Sequence, residues 1–105
     1  MNELKISPEA ARDLAEIKRY IAVELKNRSA AERIVRNIIH DLRILTQYAE
    51  VGMSPEAKTG IPSDLRMLAC EKHIVFYRAA DSTVYIARII SSRQDYLRIL
   101  FGENV

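Results

Sequence analysis

Two apolar stripes of helical period, joined by three residues, constrain this chain more than any other feature. Ala10, Leu14, Ile17, Ile21 and Leu25 recur at i, i+4, i+7, i+11 and i+15, the repeat of a helix with one buried face. Ser7-Pro8-Glu9 precedes them. Serine caps, proline suits the first helical position and an acid complements the helix dipole, so a helix is predicted from Pro8 to about Leu25. After Lys26-Asn27-Arg28, Ser29-Ala30-Ala31-Glu32 has capping-box spacing. A second stripe follows in Ala31, Ile34, Val35, Ile38, Leu42 and Leu45, widened by Ile39 and Tyr48, to about Ala49. So short a break implies an antiparallel helix hairpin. Each helix has one apolar face, so the pair must cover something else.

The second half of the chain supplies that surface. Gly52, Pro55, Gly60 and Pro62 mark a loop over 51–62. The style then turns β-branched and aromatic. Residues 64–69, His73–Arg78 and Thr83–Ile90 read as three strands, the last two separated by an Asp81-Ser82 turn. Residues 2–6 form a further short strand, with Leu4 and Ile6 on one face. Leu97, Leu100 and Phe101 fit a short final helix within 93–101, stopped by Gly102. The expected fold class is therefore α+β: β-α-α-β-β-β, a helix hairpin packed on a small antiparallel sheet, with a short C-terminal helix. A chain of 105 residues is one domain's worth, since smaller pieces would bury too little surface. Residues 1–105 are read as a single domain.

Strand alternation puts Ile74, Phe76 and Arg78 on one face, with His73, Val75 and Tyr77 opposite. On the next strand, Val84, Ile86, Arg88 and Ile90 oppose Tyr85, Ala87 and Ile89. Neither face is cleanly polar. One helical layer covers one face, so the other meets either a partner or the chain's own termini.

Composition excludes several function classes. Sixteen Lys+Arg against fourteen Asp+Glu leave a net charge of only +2, spread evenly along the chain. Dedicated duplex-DNA or membrane-surface proteins carry a larger excess. One cysteine, Cys70, permits no intrachain disulfide. Together with His40 and His73 it lacks zinc-site spacing. No metal and no cofactor are expected. No run of about 20 apolar residues is present for a membrane helix, and the N-terminus has no signal-peptide core; a cytoplasmic protein without membrane contact is expected. The scattered glycines form no phosphate loop, and there is no metalloprotease pair or nucleophile elbow. His40 reads as a helix-surface residue, and Cys70 as a small buried one.

The arginines of the second half are the candidate working residues. Arg66, Arg78, Arg88 and Arg93 fall on the meander or its exit. Arginine in a strand is costly unless paired or at an edge. Two readings stand: strand-end pairs with Asp64, Glu71, Asp81 or Asp95, or a cluster whose guanidinium forks hold carboxylate or phosphate.

The chain also resembles a known family, the ParE/RelE superfamily of toxins from bacterial type II toxin–antitoxin modules. The resemblance runs from Ile6 to Tyr96. It is carried by Ile6-Ser7-Pro8-Glu9-Ala10-Ala11-Arg12-Asp13-Leu14 with Tyr20-Ile21, and by Ala30-Ala31-Glu32-Arg33-Ile34. It continues in Leu65-Arg66-Met67-Leu68, Val75-Phe76-Tyr77-Arg78, Val84-Tyr85-Ile86-Ala87-Arg88-Ile89-Ile90 and Ser92-Arg93-Gln94-Asp95-Tyr96.

The resemblance implies a toxin neutralised by a cognate acidic antitoxin that folds across it, with operator DNA met only through that antitoxin. ParE-type relatives poison DNA gyrase and have no catalytic residues; RelE-type relatives cut mRNA on the ribosome. Metal-free RNA cleavage needs a base and an acid. Here the loop after the second helix offers one lysine, Lys58. Ile99 stands where a RelE-like tyrosine would fall, and Ser91 where many relatives have histidine. The resemblance is therefore closer to the ParE-like branch, with a RelE-like nuclease and an inactive antitoxin-binding protein as alternatives. Target contacts are expected at Arg66, Arg78, Arg88, Arg93 and Tyr96. Antitoxin contacts are expected at Leu14, Ile17, Ile21, Phe76, Tyr77 and Tyr85.

Overall fold

A computed structural model describes residues 2–52, 64–94 and 96–101. The expected loop features Pro55, Lys58, Gly60 and Pro62, the acid Asp95 and the stop Gly102 lie outside the described residues. So do the side chains of Tyr96, Leu97 and Phe101.

Strand β1 (Glu3–Ile6) leads into helix α1 (Pro8–Arg19). Ser7 caps α1 as expected, its Oγ accepting from the Ala10 amide at 2.9 Å. The helix does not stay regular to Leu25. Tyr20–Glu24 form a π turn, closed by a hydrogen bond from the Leu25 amide to the Tyr20 carbonyl at 3.1 Å. A π turn takes up an extra residue, which slips the following side chains off the stripe. Ala10 and Ile21 are buried and Leu14 and Ile17 half-buried, but Leu25 is exposed.

Helix α2 (Arg28–Leu45) begins one residue before Ser29, because Asn27 is the cap and accepts from the Ala30 amide at 3.0 Å. Ser29 instead donates its hydroxyl to the Asn27 side chain at 3.4 Å. The helix ends at Leu45, and Thr46 caps it. Ala31, Ile38, Leu42 and Leu45 are buried, while Ile39 and Tyr48, expected to widen the stripe, are exposed.

Strands β2 (Arg66–Cys70), β3 (His73–Ala80) and β4 (Thr83–Ser91) form the meander. Helix α3 (Tyr96–Phe101) follows, starting three residues later than expected. The strand order is β1-β4-β3-β2. The meander is antiparallel, but β1 lies parallel to β4, pairing Lys5 with Tyr85 and Ile6 with Ile86. The sheet is thus mixed rather than wholly antiparallel. The helix hairpin carries the chain over the sheet between β1 and the meander, as a parallel connection requires.

Simple alternation fails at one point. Phe76 pairs with Arg88, but the next residue, Tyr77, pairs with Ile86, leaving Ala87 as a β-bulge. An extra residue re-aims every side chain beyond it. Ile86 and Ile90 therefore lie on opposite faces, not on one. Val75, Tyr77, Val84, Ile86 and Ile89 pack under the helices with Ile38, Leu42 and Leu45. Leu65, Met67, Ile74, Phe76 and Ile90 form a second cluster on the other face, joined by Ala87 and by Leu100 of α3. Over that half of the sheet the chain covers itself: Phe76 is fully buried.

Candidate functional site

The four arginines do not converge. Arg66 shares the register of Tyr77, and its Nη1 donates to the carbonyls of Glu50 and Gly52 at 3.3 and 3.2 Å. Arg78, one residue past Tyr77, points to the opposite face. Its Nε donates to both carboxylate oxygens of Asp64, at 2.8 and 2.9 Å, one of the acids the sequence offered for it.

Arg88 is the most deeply engaged. Its Nε and Nη2 donate to Asp13 Oδ2 and Oδ1 at 2.7 and 3.0 Å. The Ile89 amide adds a third bond to Asp13 at 2.9 Å. The Asp13 carboxylate raises the Arg88 pKa above its ordinary value, against the opposing effect of burial. Asp13 is not among the acids that sequence position offers the strand arginines, because it lies on α1, 75 residues before Arg88. Its place was legible: it lies i+3 from buried Ala10 and i−4 from half-buried Ile17.

These contacts grip the bulge. The Ser7 amide donates to the Ile86 carbonyl at 2.9 Å, and its hydroxyl to the Ala87 carbonyl at 2.8 Å. The start of α1 thus satisfies backbone groups that the irregular ladder leaves over. Tyr77 does the same for the segment after α2: its hydroxyl donates to Ala49 O at 2.8 Å and accepts from the Gly52 amide at 2.9 Å.

Arg93 differs from the other three. It is exposed just beyond β4 and has no acidic partner among the described residues. Its turn is fixed all the same. The Ser92 amide and hydroxyl both donate to the Lys72 carbonyl, at 2.9 and 3.1 Å. The preceding Glu71 accepts on one oxygen from Arg33 and Asn37 of α2, at 3.1 and 2.8 Å.

Of the residues expected to meet an antitoxin, Phe76 and Tyr77 are fully buried and Ile21 nearly so. Leu14 and Ile17 pack against the main core. Tyr85 alone of the six is exposed, at 40%. It sits in one row across the sheet with Lys5 on β1 and Arg78 on β3. The three edge a shallow pocket of about 260 Å³ that also takes in Ile6, Glu9 and Ala87. A larger recess of about 430 Å³ lies beside Asn2 and residues 47–51. Lys5 was not singled out from sequence, because its neighbourhood depends on a parallel pairing across almost eighty residues.

A buried thiol and a half-buried imidazole stand apart. Cys70 is a free thiol whose pKa is pushed up to about 12, chiefly by burial and then by Asp41. His73 has its Nδ1 enclosed without a hydrogen-bond partner, and burial lowers its pKa against the opposing pull of Glu71. Among the described residues no cluster of His, Cys, Asp and Glu could hold a metal ion. No described helix is long and apolar enough to cross a membrane.

Comparison with known proteins agrees with this architecture. No curated protein sequence matches the chain significantly. A chain of the chromosomal ParDE toxin–antitoxin system from P. aeruginosa is 27% identical and superposes with a TM-score of 0.72, covering 87% of this chain and 96% of that one. The family described as the ParE toxin of the type II toxin–antitoxin system parDE matches residues 4–96. This chain belongs to that family of ParE toxins.

Proposed function

We infer that this toxin is held inactive by an acidic antitoxin and, when free, acts on DNA gyrase without cutting RNA. Family membership over residues 4–96 supports the module, and the gyrase target rests on the resemblance to ParE-type relatives. The P. aeruginosa ParDE system supports a bound antitoxin. The observation that carries the non-nuclease reading is the engagement of the arginines. Arg66 serves backbone carbonyls and Arg88 is held by Asp13. Side chains so committed are not placed to hold a scissile phosphate. Of the two groups with the right chemistry for proton transfer, Tyr77 is turned inward to the core and His73 is half-buried with its Nδ1 enclosed. Operator DNA is met through the antitoxin.

Controlled expression in a bacterial host tests this reading. The chain alone is expected to arrest growth, and co-expression of its antitoxin to relieve the arrest. RNA sequencing after induction is expected to show no codon-phased cuts. Such cuts, lost in an Arg93→Ala variant, would assign the toxin to the ribosome.

A further inference from the structure

We propose that Glu71 is a positioning residue for Arg93: its carboxylate ties the β2–β3 turn to helix α2, and that turn holds the bend from which Arg93 projects. The proposal rests on the reading of Arg93 as a contact to the toxin's target and names what fixes that contact in place.

The link is a chain of hydrogen bonds across three parts of the fold. Glu71 and Lys72 form the two-residue turn between Cys70 and His73, which pair across it. One oxygen of Glu71, Oε1, accepts both from Arg33 Nη1 at 3.1 Å and from Asn37 Nδ2 at 2.8 Å, two residues of α2. The neighbouring Lys72 carbonyl accepts from the Ser92 amide at 2.9 Å and from its hydroxyl at 3.1 Å. The Arg93 amide donates to Ser91 Oγ at 3.3 Å, and the Gln94 amide closes the bend on the Ser91 carbonyl at 3.0 Å. Arg93 therefore leaves the sheet from a backbone held before and after it, while the residue itself stays exposed.

The demands of the turn do not account for a glutamate at this place. Glu71 has φ 56°, in the left-handed region that glycine enters freely and a residue with a Cβ enters at a cost. At the β3–β4 turn the left-handed positions hold Asp81 and Ser82, short polar residues of the kind such turns favour. Glutamate is not of that kind; what it adds is the reach to α2. Backbone held in such a region against its preference is a pointer to function. The ion pair itself contributes little to stability, since the Arg33 side chain is 57% exposed. The gain lies in placement: a side chain presented from an ordered backbone loses less freedom when it binds.

The test compares the purified full chain with Glu71→Gln and Glu71→Gly, at a temperature where melting curves show each protein folded. Inhibition of DNA gyrase is read as the toxin concentration that halves supercoiling. Backbone order is read from nitrogen-15 relaxation at the Ser92, Arg93 and Gln94 amides. Both bonds from α2 fall on one oxygen, and glutamine keeps an accepting oxygen, so Glu71→Gln is expected to match the parent in both. Glu71→Gly relieves the backbone, so its melting temperature is expected not to fall. It is nevertheless expected to loosen the three amides and to raise the half-inhibiting concentration roughly fivefold, the scale of ordering one flexible residue on binding. Unchanged inhibition or an unchanged bend in Glu71→Gly would overturn the proposal, as would equal weakening by Glu71→Gln. Growth arrest on induction is scored for the same variants. A parent chain that arrests growth but spares gyrase would refute the gyrase reading alone, and the ranking of the variants in growth arrest would then decide the proposal.

Discussion

Asp13 accepts three hydrogen bonds, two from Arg88 and one from the Ile89 amide, with its side chain only 15% exposed. Removing the guanidinium leaves a half-enclosed carboxylate with one partner. Arg88→Ala is expected to cost about 2–3 kcal/mol in urea unfolding, the range for a charged hydrogen-bonded pair. Growth inhibition would fall only as the folded population falls. A loss of toxicity with stability unchanged within about 0.5 kcal/mol, as for an ordinary surface change, would instead place Arg88 at the target. His73 carries a pH dependence. Its folded pKa lies below the ordinary 6.5, so the unfolded chain takes up a proton first as the pH falls. Stability is therefore expected to decline below about pH 6.5, and less steeply in His73→Leu. Melting temperatures of both proteins from pH 7.5 to 5 check this; parallel curves would contradict it. Cys70, buried and with its thiol pushed up to about 12, is expected to resist iodoacetamide at pH 8 in the folded chain and to react in urea.

At the level of the elements, the segment after α2 is anchored by the Tyr77 phenol from within the core and by the Arg66 guanidinium beside it. Tyr77 is fully buried and its hydroxyl bonds both Ala49 and Gly52. A side chain on Gly52 would bring its Cβ to 2.5 Å from that hydroxyl and 2.9 Å from the Met67 carbonyl. Gly52→Ala is expected to cost about 2–3 kcal/mol, the scale of overpacking against rigid neighbours. Tyr77→Phe keeps the volume and loses two bonds, at about 1–2 kcal/mol. Chemical denaturation ranks the two; a neutral Gly52→Ala would mean the segment shifts freely. The helices themselves were legible, because a stripe of period 3.6 repeats over several turns and Ser7-Pro8 marks a start. Their irregular ends were not. Asn27 and Ser29 are both good caps, and nothing local decides between them. The π turn at Tyr20–Glu24 interrupts a stripe whose spacing alone reads as continuous helix. The bulge at Ala87 exists only relative to β3, so alternation along β4 gave the wrong face for Ile90.

Across the whole molecule, the family and the order of elements were readable from residues 6–96, because the resemblance is spread over every element. The working surface was less so. Arginine count and strand position pointed to a cluster, but direction depends on register: Arg66 and Arg78 leave the sheet on opposite faces, and Arg88 turns to α1. Burial likewise removes Phe76 and Tyr77 from any surface, although aromatic residues in a meander look accessible in the sequence. Arg93 stays exposed on a braced turn, with no acid beside it among the described residues. Arg93→Ala is thus expected to lose growth inhibition with stability within about 0.5 kcal/mol of the parent. Full toxicity in a stably folded Arg93→Ala chain would remove it from the target surface. The central claim, a gyrase toxin that cuts no RNA, is tested most directly with purified chain, DNA gyrase and relaxed plasmid. The account predicts that supercoiling is inhibited in proportion to toxin, while mRNA on translating ribosomes stays intact; normal supercoiling together with cleaved mRNA would contradict it.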